Sequence, residues 1–220
     1  MRRLLIFGTG QIGELADFYF AHDSSYEVAA FTVDGKYMKE PAFCGKPTVA
    51  FEEAAKAFPP AEHDLFVAVS YTGLNKVRAD KAAEGKRQGY RLASYVSSKA
   101  TTFPGFTAGE NAFILEDNTI QPFARIGNNV TLWSGNHIGH HSRIADHCFI
   151  ASHVVVSGWV EIGEACFIGV NVTIRDHVKI GERCVIGAGA IIAQDAAPFG
   201  VYAAPASERA AVPSTRLRKL

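Results

Sequence analysis

The sequence has no net charge, few cysteines and no long apolar run. Lys plus Arg and Asp plus Glu number 22 each among 220 residues, so no overall field favours nucleic acid or an anionic membrane surface. A phosphate-bearing ligand would therefore need local backbone donors. The opening MRRLLIFGTG is too short in apolar residues for a signal peptide, and no run reaches membrane-spanning length, so we expect a cytoplasmic protein without a membrane partner. Four cysteines do not make a disulfide framework in a chain of this length.

An aliphatic residue recurs at every sixth position through the second half of the chain. The unbroken series is Ile114, Ile120, Ile126, Leu132, Ile138, Ile144, Ile150, Val156, Ile162, Ile168, Ile174, Ile180, Ile186 and Ile192. This period fits neither a helix nor simple strand alternation. It is the hexapeptide signature of a parallel β-helix, in which three units form a triangular coil of eighteen residues. Coils stack at roughly 4.8 Å, so residues eighteen apart should lie above one another.

Three sets of residues eighteen apart have simple structural interpretations. We expect the cysteines to be reduced thiols in the core, the asparagines to form an internal amide ladder, and the charged residues to form a solvated edge. The three sets are Cys148, Cys166 and Cys184; Asn118 and Asn136; and Arg125, Arg143, Glu161 and Lys179.

The first hundred residues contain a glycine motif between a strand and a helix. LLIFGTGQIGELADFYF predicts a buried strand, a turn with Gly8, Gly10 and Gly13, and an amphipathic helix. A second strand ends at Asp34, a third runs into a polar loop at Ser70, and NKVRADKAAEGKRQGY follows as a helix. Glycines at a helix N-terminus suit a phosphate group. The unit is too short for a complete dinucleotide fold, so a nucleotide-sugar site is favoured over NAD, with a purely structural glycine turn as the alternative.

The expected fold class is therefore an α/β Rossmann-like βαβαβ unit followed by an all-β parallel β-helix. The predicted boundaries are 1–100 for a nucleotide-sugar-binding domain, 101–205 for the β-helix and 206–220 for a C-terminal tail.

The combination of these two halves resembles the bacterial sugar acyltransferases of the sialic-acid O-acetyltransferase type. That group includes N-acetyltransferases of nucleotide-linked 4-amino-4,6-dideoxy sugars. The resemblance rests on GTGQIG with VDGK, on GHHSRIADHCFIASHVVVSGWVEIGEACFIGVN, and on IGAGAIIAQDAAPFGVYAAPA. It implies a left-handed β-helix, acetyl-CoA as co-substrate, no metal, a nucleotide-linked amino sugar as acceptor, and a homotrimer with CoA between two β-helices.

The resemblance also assigns roles to residues. His140 matches the general base, and imidazole suits that task because it titrates near neutral pH. The family's oxyanion donor is a backbone amide one coil along, which is Gly158 here, and this residue has no side chain to block the thioester of bound CoA. Val170 and Ala188 would leave room for the pantetheine arm of CoA. Gly8, Gly10, Asp34, Ser70 and His141 are the expected substrate-binding residues.

One position departs from the family pattern. Many relatives carry an acid directly after the catalytic histidine, where it orients the ring, but this chain has His141 there. A backbone carbonyl, a water or Asp146 could orient His140 instead. His137, His147 and His153 are expected at different turn positions, as surface or interface residues.

The same sequence features allow three other functions. The acceptor group could be a hydroxyl, which would make the protein a sugar O-acetyltransferase. A γ-type carbonic anhydrase would use His141 and His177, but these lie two coils apart, roughly 10 Å. That family also needs a histidine at the position of Glu182. A trimer that binds a nucleotide sugar without catalysis is the third alternative.

Overall fold

The computed structural model describes residues 2–209 and 211–216, so part of the predicted tail 206–220 lies outside the described residues. The amino-terminal unit alternates strands and helices: β1 (Arg2–Phe7), α1 (Gln11–His22), β2 (Tyr26–Val33), β3 (Ala42–Phe43), β4 (Lys46–Ala50), α2 (Ala54–Ala57), β5 (His63–Val67) and α3 (Lys76–Arg87). Short 3-10 turns cover Gly35–Tyr37, Phe51–Glu53 and Ser214–Arg216. None of the helices within these ranges is both long enough and apolar enough to cross a membrane.

The sheet of this unit has the order β3-β4-β2-β1-β5 and is parallel except for β3. Strand β1 is central, and Leu4, Leu5 and Ile6 are completely buried because helices cover both faces. The three predicted strands and two predicted helices are all present. Strands β3 and β4 were not predicted. Strand β4 begins with Lys46 and Pro47 near the edge of the sheet and has no long apolar run.

The second half consists of sixteen two-residue strands joined by tight turns. They are β6 (Tyr95–Val96), β7 (Phe113–Ile114), β8 (Thr119–Ile120), β9 (Arg125–Ile126), β10 (Thr131–Leu132), β11 (His137–Ile138), β12 (Arg143–Ile144), β13 (Phe149–Ile150), β14 (Val155–Val156), β15 (Glu161–Ile162), β16 (Phe167–Ile168), β17 (Thr173–Ile174), β18 (Lys179–Ile180), β19 (Val185–Ile186), β20 (Ile191–Ile192) and β21 (Val201–Tyr202). The parallel pairing begins at β6, a few residues before position 101, and the exact domain boundaries stay a prediction.

These strands build the three faces of a prism. The covered face contains β21-β19-β16-β13-β10-β7-β6, the open face β20-β17-β14-β11-β8, and the charged face β18-β15-β12-β9. Arg143 pairs with Arg125 above and Glu161 below, so the coil has eighteen residues throughout this region. The predicted fold class, an α/β unit followed by a left-handed parallel β-helix, is confirmed.

The interior of the prism is filled as the repeat predicts. The aliphatic series from Ile114 to Ile192 is at most 6 % exposed at every position. Cys148, Cys166 and Cys184 are free and buried, and each thiol donates to a turn carbonyl at 3.1 Å. The predicted asparagine ladder is wrong in detail. Asn118 and Asn136 do stack, but their amide groups donate to the backbone carbonyl of Trp133 rather than to each other.

The amino-terminal unit packs on the covered face of the prism. Tyr71 lies against Phe149 and Phe167, with ring centroids 5.1 and 4.8 Å away. Arg78 of α3 is 1 % exposed and donates to the carbonyls of Asn129, His147 and Cys148. Burial lowers the pKa of Arg78 to about 10, so the guanidinium stays charged at neutral pH. This contact holds the two halves together by bonds to the backbone.

Candidate active site

The density of histidines in the middle coils has a backbone explanation. His141, His147, His153 and His177 all have φ between 58° and 64°. Each occupies the left-handed position of a corner turn, where His, Asn and Asp are tolerated better than most residues. His147 and His153 lie in different turns, as expected, and with His141 they occupy the same left-handed position at three successive corners. The expectation of a turn position is wrong for one histidine. His137 is on β11, on the open face.

His140 lies at the corner that joins the open and charged faces, in the turn between β11 and β12. We call the turns that form this edge, at residues 121–124, 139–142, 157–160 and 175–178, the His140 corner. The imidazole is exposed and lies over Gly158, one coil away. A β-carbon at Gly158 would stand 2.7 Å from Cε1 and 2.8 Å from Nε2 of His140. The structure thus brings together the two residues that the sequence analysis paired.

The peptide N–H of Gly158 is available for a ligand. Within residues 2–209 and 211–216 it makes no hydrogen bond, whereas the next amide, that of Trp159, donates to the His140 carbonyl at 3.0 Å. Ser142 fixes the turn by donating to the Ser157 carbonyl and accepting from Val160. A free N–H beside an imidazole can stabilise an oxygen that becomes negative as the imidazole removes a proton.

The orientation of His140 comes from two contacts. Its backbone N–H donates to Oε1 of Gln121 at 2.9 Å, and its ring Nδ1 lies 3.1 Å from Nδ1 of His141. Asp146, one of the candidate orienting groups, is occupied elsewhere: its carboxylate accepts from the backbone and side-chain amides of Asn128.

His141 belongs to a stack of exposed rings along the His140 corner. It is parallel to Trp159 at 4.3 Å between centroids, and Phe123 lies 4.7 Å away on its other side. Trp159 is also parallel to His177, at 6.2 Å. The sequence analysis missed this column, although its members are eighteen residues apart. Among the described residues there is no group of three His, Cys, Asp or Glu side chains arranged to hold a metal ion.

A second site lies in the amino-terminal unit. A cavity of about 500 Å³ opens at the ends of β1, β2 and β5, and its lining includes Gly8, Gly10, Asp34 and Ser70. The structure thus brings together four of the five residues predicted to bind substrate, whereas His141 does not line this cavity. Tyr71 and Lys81 also line the cavity and were not predicted, because an exposed tyrosine and a helical lysine carry no local signal.

The three glycines of the motif have distinct roles. Gly8 has φ +122° and a β-carbon there would come 2.6 Å from the Ala68 carbonyl oxygen. At Gly13 a β-carbon would come 2.1 Å from the Gly8 carbonyl oxygen, so this glycine allows α1 to pack against the turn. At Gly10 nothing lies within 4 Å, which leaves the start of α1 open to the cavity. Close packing at two glycines and open space at the one between them suits a phosphate group at the helix N-terminus.

Asp34 is paired in this structure. Its carboxylate accepts from Nζ of Lys81, which also contacts Glu84. Burial alone would lower the pKa of Lys81, but the bonds to Asp34 and Glu84 outweigh it and raise the pKa. Asp34 would therefore meet a ligand as part of an ion pair.

Val170 and Ala188 lie on a different edge from Gly158. They are one coil apart at the corner between the covered and open faces, and both are exposed. The open face separates this edge from the His140 corner and carries the exposed side chains of Val155 and Ile191, which are 40 % and 76 % exposed. An extended ligand that reached from Val170 to Gly158 would cross this apolar surface.

The two sites are far apart within one chain. The amino-terminal unit packs on the covered face, and the His140 corner is the edge of the prism opposite that face. Hence the cavity at Gly8 and the ring of His140 lie on opposite sides of the prism in one chain.

Comparisons with known proteins agree with this architecture. Residues 123–158 and 160–194 match the family described as bacterial transferase hexapeptide (six repeats). No curated protein matches the sequence. The acetyltransferase domain of PglB from Neisseria gonorrhoeae FA1090 in complex with acetyl coenzyme A has TM-score 0.82 and 21 % identity, over 92 % of this chain and 96 % of that one.

Two further solved structures have the same fold. PerB from Caulobacter crescentus in complex with CoA and GDP-perosamine has TM-score 0.80 and 22 % identity, over 93 % of this chain and 95 % of that one. WeeI from Acinetobacter baumannii AYE has TM-score 0.69 and 16 % identity, over 91 % and 96 %. These similarities show that the fold extends over nearly the whole chain.

Proposed function

We propose that this protein transfers the acetyl group of acetyl-CoA to the amino group of a nucleotide-linked amino sugar of the 4-amino-4,6-dideoxy type. The observation that carries the proposal is the imidazole of His140 over Gly158, whose N–H is free within the described residues. The fold supports it, since similar structures are of an acetyltransferase domain with acetyl coenzyme A and of PerB with CoA and GDP-perosamine.

In the proposed reaction, the nitrogen of the acceptor amine attacks the thioester carbonyl. As it does so, Nε2 of His140 accepts a proton from the amine. The oxygen of the tetrahedral intermediate accepts a hydrogen bond from the Gly158 N–H. Collapse of the intermediate breaks the carbon–sulfur bond, and the CoA thiolate receives the proton held by His140. No metal takes part in any of these steps.

The acceptor site would be the cavity at Gly8 and Gly10, with the diphosphate at the start of α1 and Asp34 and Ser70 contacting the nucleoside or sugar. CoA would lie along the open face, with its pantetheine arm between Val170, Ala188 and Gly158. Because the cavity and His140 are on opposite sides of the prism, we propose a homotrimer in which one protomer supplies the cavity and a neighbour supplies His140. We place the reaction in the cytoplasm, where the sequence analysis expects the protein.

The test is release of free thiol from acetyl-CoA in the presence of UDP-, GDP- or dTDP-linked 4-amino sugars. We expect one of these to be acetylated, and His140→Ala to lower kcat by about 10² to 10⁴ while KM changes little. His153→Ala is the matched control, because it removes an imidazole from another corner. Thiol release with the 4-hydroxy analogues but not the amines would instead indicate an O-acetyltransferase, and activity of His140→Ala within a few-fold of wild type would remove His140 from the mechanism.

A further inference from the structure

The contact between His140 and His141 limits how the two rings are protonated. Their Nδ1 atoms are 3.1 Å apart, a hydrogen-bond distance, and a hydrogen bond there needs one donor and one acceptor. When both rings are neutral, only one of these nitrogens can carry the proton. The Nδ1 atom that carries this proton decides which nitrogen of His140 is left as an acceptor.

From this geometry we infer that His141 is a positioning residue for His140: its bare Nδ1 accepts the Nδ1–H of His140 and so leaves Nε2 of His140 unprotonated. Nε2 is the nitrogen that lies over Gly158, 2.8 Å from the position of a β-carbon there. With the proton placed the other way, Nε2 of His140 would carry hydrogen and could not act as a base. This inference rests on the proposed function for its catalytic consequence, but the protonation pattern can be measured without any substrate.

The surroundings of His141 suit a fixed acceptor. Phe123 and Trp159 hold the ring from both sides, with centroids 4.7 and 4.3 Å away, so the ring cannot turn freely. Its backbone has φ 59°, which fixes where the side chain leaves the turn. The ring lies between two other rings, but His141 is still exposed, so its expected contact with substrate stays a prediction. The Nδ1 edge is engaged with His140.

Two substitutions at His141 distinguish the role of its Nδ1 acceptor from the role of its aromatic ring. His141→Phe keeps an aromatic ring between Phe123 and Trp159 but removes the acceptor. His141→Asn removes the ring but keeps an acceptor oxygen near the position of Nδ1, and asparagine tolerates a left-handed backbone. His141→Asn should therefore keep the function that His141→Phe loses. A purely structural role of the ring would not give this result.

The first measurement is the tautomer of His140, read from long-range proton–nitrogen spectra of ¹⁵N-histidine-labelled protein in mildly alkaline buffer, with His140→Ala to assign the signals. We expect the Nδ1–H form in the wild type and in His141→Asn, and loss of that preference in His141→Phe. An Nε2–H form in the wild type, or an unchanged tautomer in His141→Phe, would overturn the inference.

The second measurement is kinetic. We expect His141→Phe to lower kcat by about 10- to 100-fold with both KM values nearly unchanged, and His141→Asn to stay within several-fold of wild type. A raised KM for the sugar nucleotide with an unchanged kcat would instead assign His141 to substrate binding. If the tautomers behave as expected but no acetyl transfer is found with any acceptor, the proposed function fails and the positioning of His140 stands.

Discussion

Gly158 has no side chain because the His140 ring occupies the space where one would be. The sequence analysis attributed this glycine to room for the thioester, but the nearest atoms to a β-carbon are Cε1 and Nε2 of His140. At the scale of single residues, the glycine therefore sets the position of the His140 ring as well as offering its own N–H.

We expect Gly158→Ala to displace the His140 ring and to lower kcat by about 10- to 100-fold, because misplacing a catalytic group by about 1 Å has effects of that size. The KM for CoA should change little, since the added methyl meets His140 first. Steady-state kinetics with acetyl-CoA would check both. Asp176→Ala, one coil further along the same column, is the control, and an unchanged kcat in Gly158→Ala would contradict this account.

The pairing of residues eighteen apart could be predicted, but the contact between His140 and His141 could not. Spacing fixes which α-carbons lie above one another, because each coil repeats the same backbone. It does not fix the side-chain torsions that bring two adjacent imidazoles together. The stack with Phe123 and Trp159 decides those torsions, and it depends on three coils at once.

At the scale of elements, the corner turns connect the β-helix to helix α3. Asn111 donates to Asn129, and Asn129 contacts Nδ1 of His147, so these side chains form a ladder along the corner between the charged and covered faces. Arg78, which lies on α3, donates a hydrogen bond to the backbone carbonyl of His147. This is the amide ladder that the sequence analysis placed at Asn118 and Asn136, and it forms here because side chains at left-handed positions of one corner point along the same edge.

His147 makes this junction sensitive to pH. Burial lowers its pKa, the nearby Arg78 lowers it further, and Glu164 and Asp146 only partly oppose them. The unfolded chain therefore binds a proton before the folded one does, so the stabilisation is present above the ordinary value of 6.5 and is lost as pH falls through the lower folded pKa.

We expect the urea midpoint of the wild type to fall between about pH 7.5 and about pH 5.5, and part of this fall to disappear in His147→Asn. Asparagine keeps a polar partner for Asn129 and suits the left-handed backbone. His153→Asn has the same backbone position on another corner and should keep the full pH dependence. Equal pH dependence in the wild type and His147→Asn would show that His147 does not contribute.

At the scale of the whole molecule, the proposed acceptor cavity and His140 form two half-sites on opposite sides of the prism. The cavity at Gly8 and Gly10 belongs to the unit on the covered face, and His140 is on the opposite edge. The proposed function therefore needs a neighbouring copy to complete a site, and a trimer would close that arrangement with three equal contacts.

Mixed oligomers test this arrangement. Gly10→Leu should fill the acceptor cavity, because nothing lies within 4 Å of a β-carbon there, and His140→Ala lacks the base. Each variant alone should be inactive. Trimers assembled from equal amounts of both should regain about a quarter of the wild-type sites, since one protomer can supply the cavity and its neighbour the imidazole.

The native mass should be three times the 23.8 kDa of one chain for both variants. Correctly assembled mixed trimers with no activity would show that the two half-sites are not joined across protomers.

The sequence by itself determined the prism, the eighteen-residue column of His140 and Gly158, and the glycine turn before α1. These features follow from local sequence patterns, because each coil packs only against its neighbours and the glycine motif lies between one strand and the helix that follows it. Only the tertiary structure decided that Arg78 and Tyr71 join the halves, that Asp34 pairs with Lys81, that His141 faces His140, and that the cavity at Gly8 and the His140 ring lie on opposite sides of the prism. Those contacts join segments far apart in the chain or depend on side-chain torsions. Neither kind of contact can be predicted from a local sequence pattern.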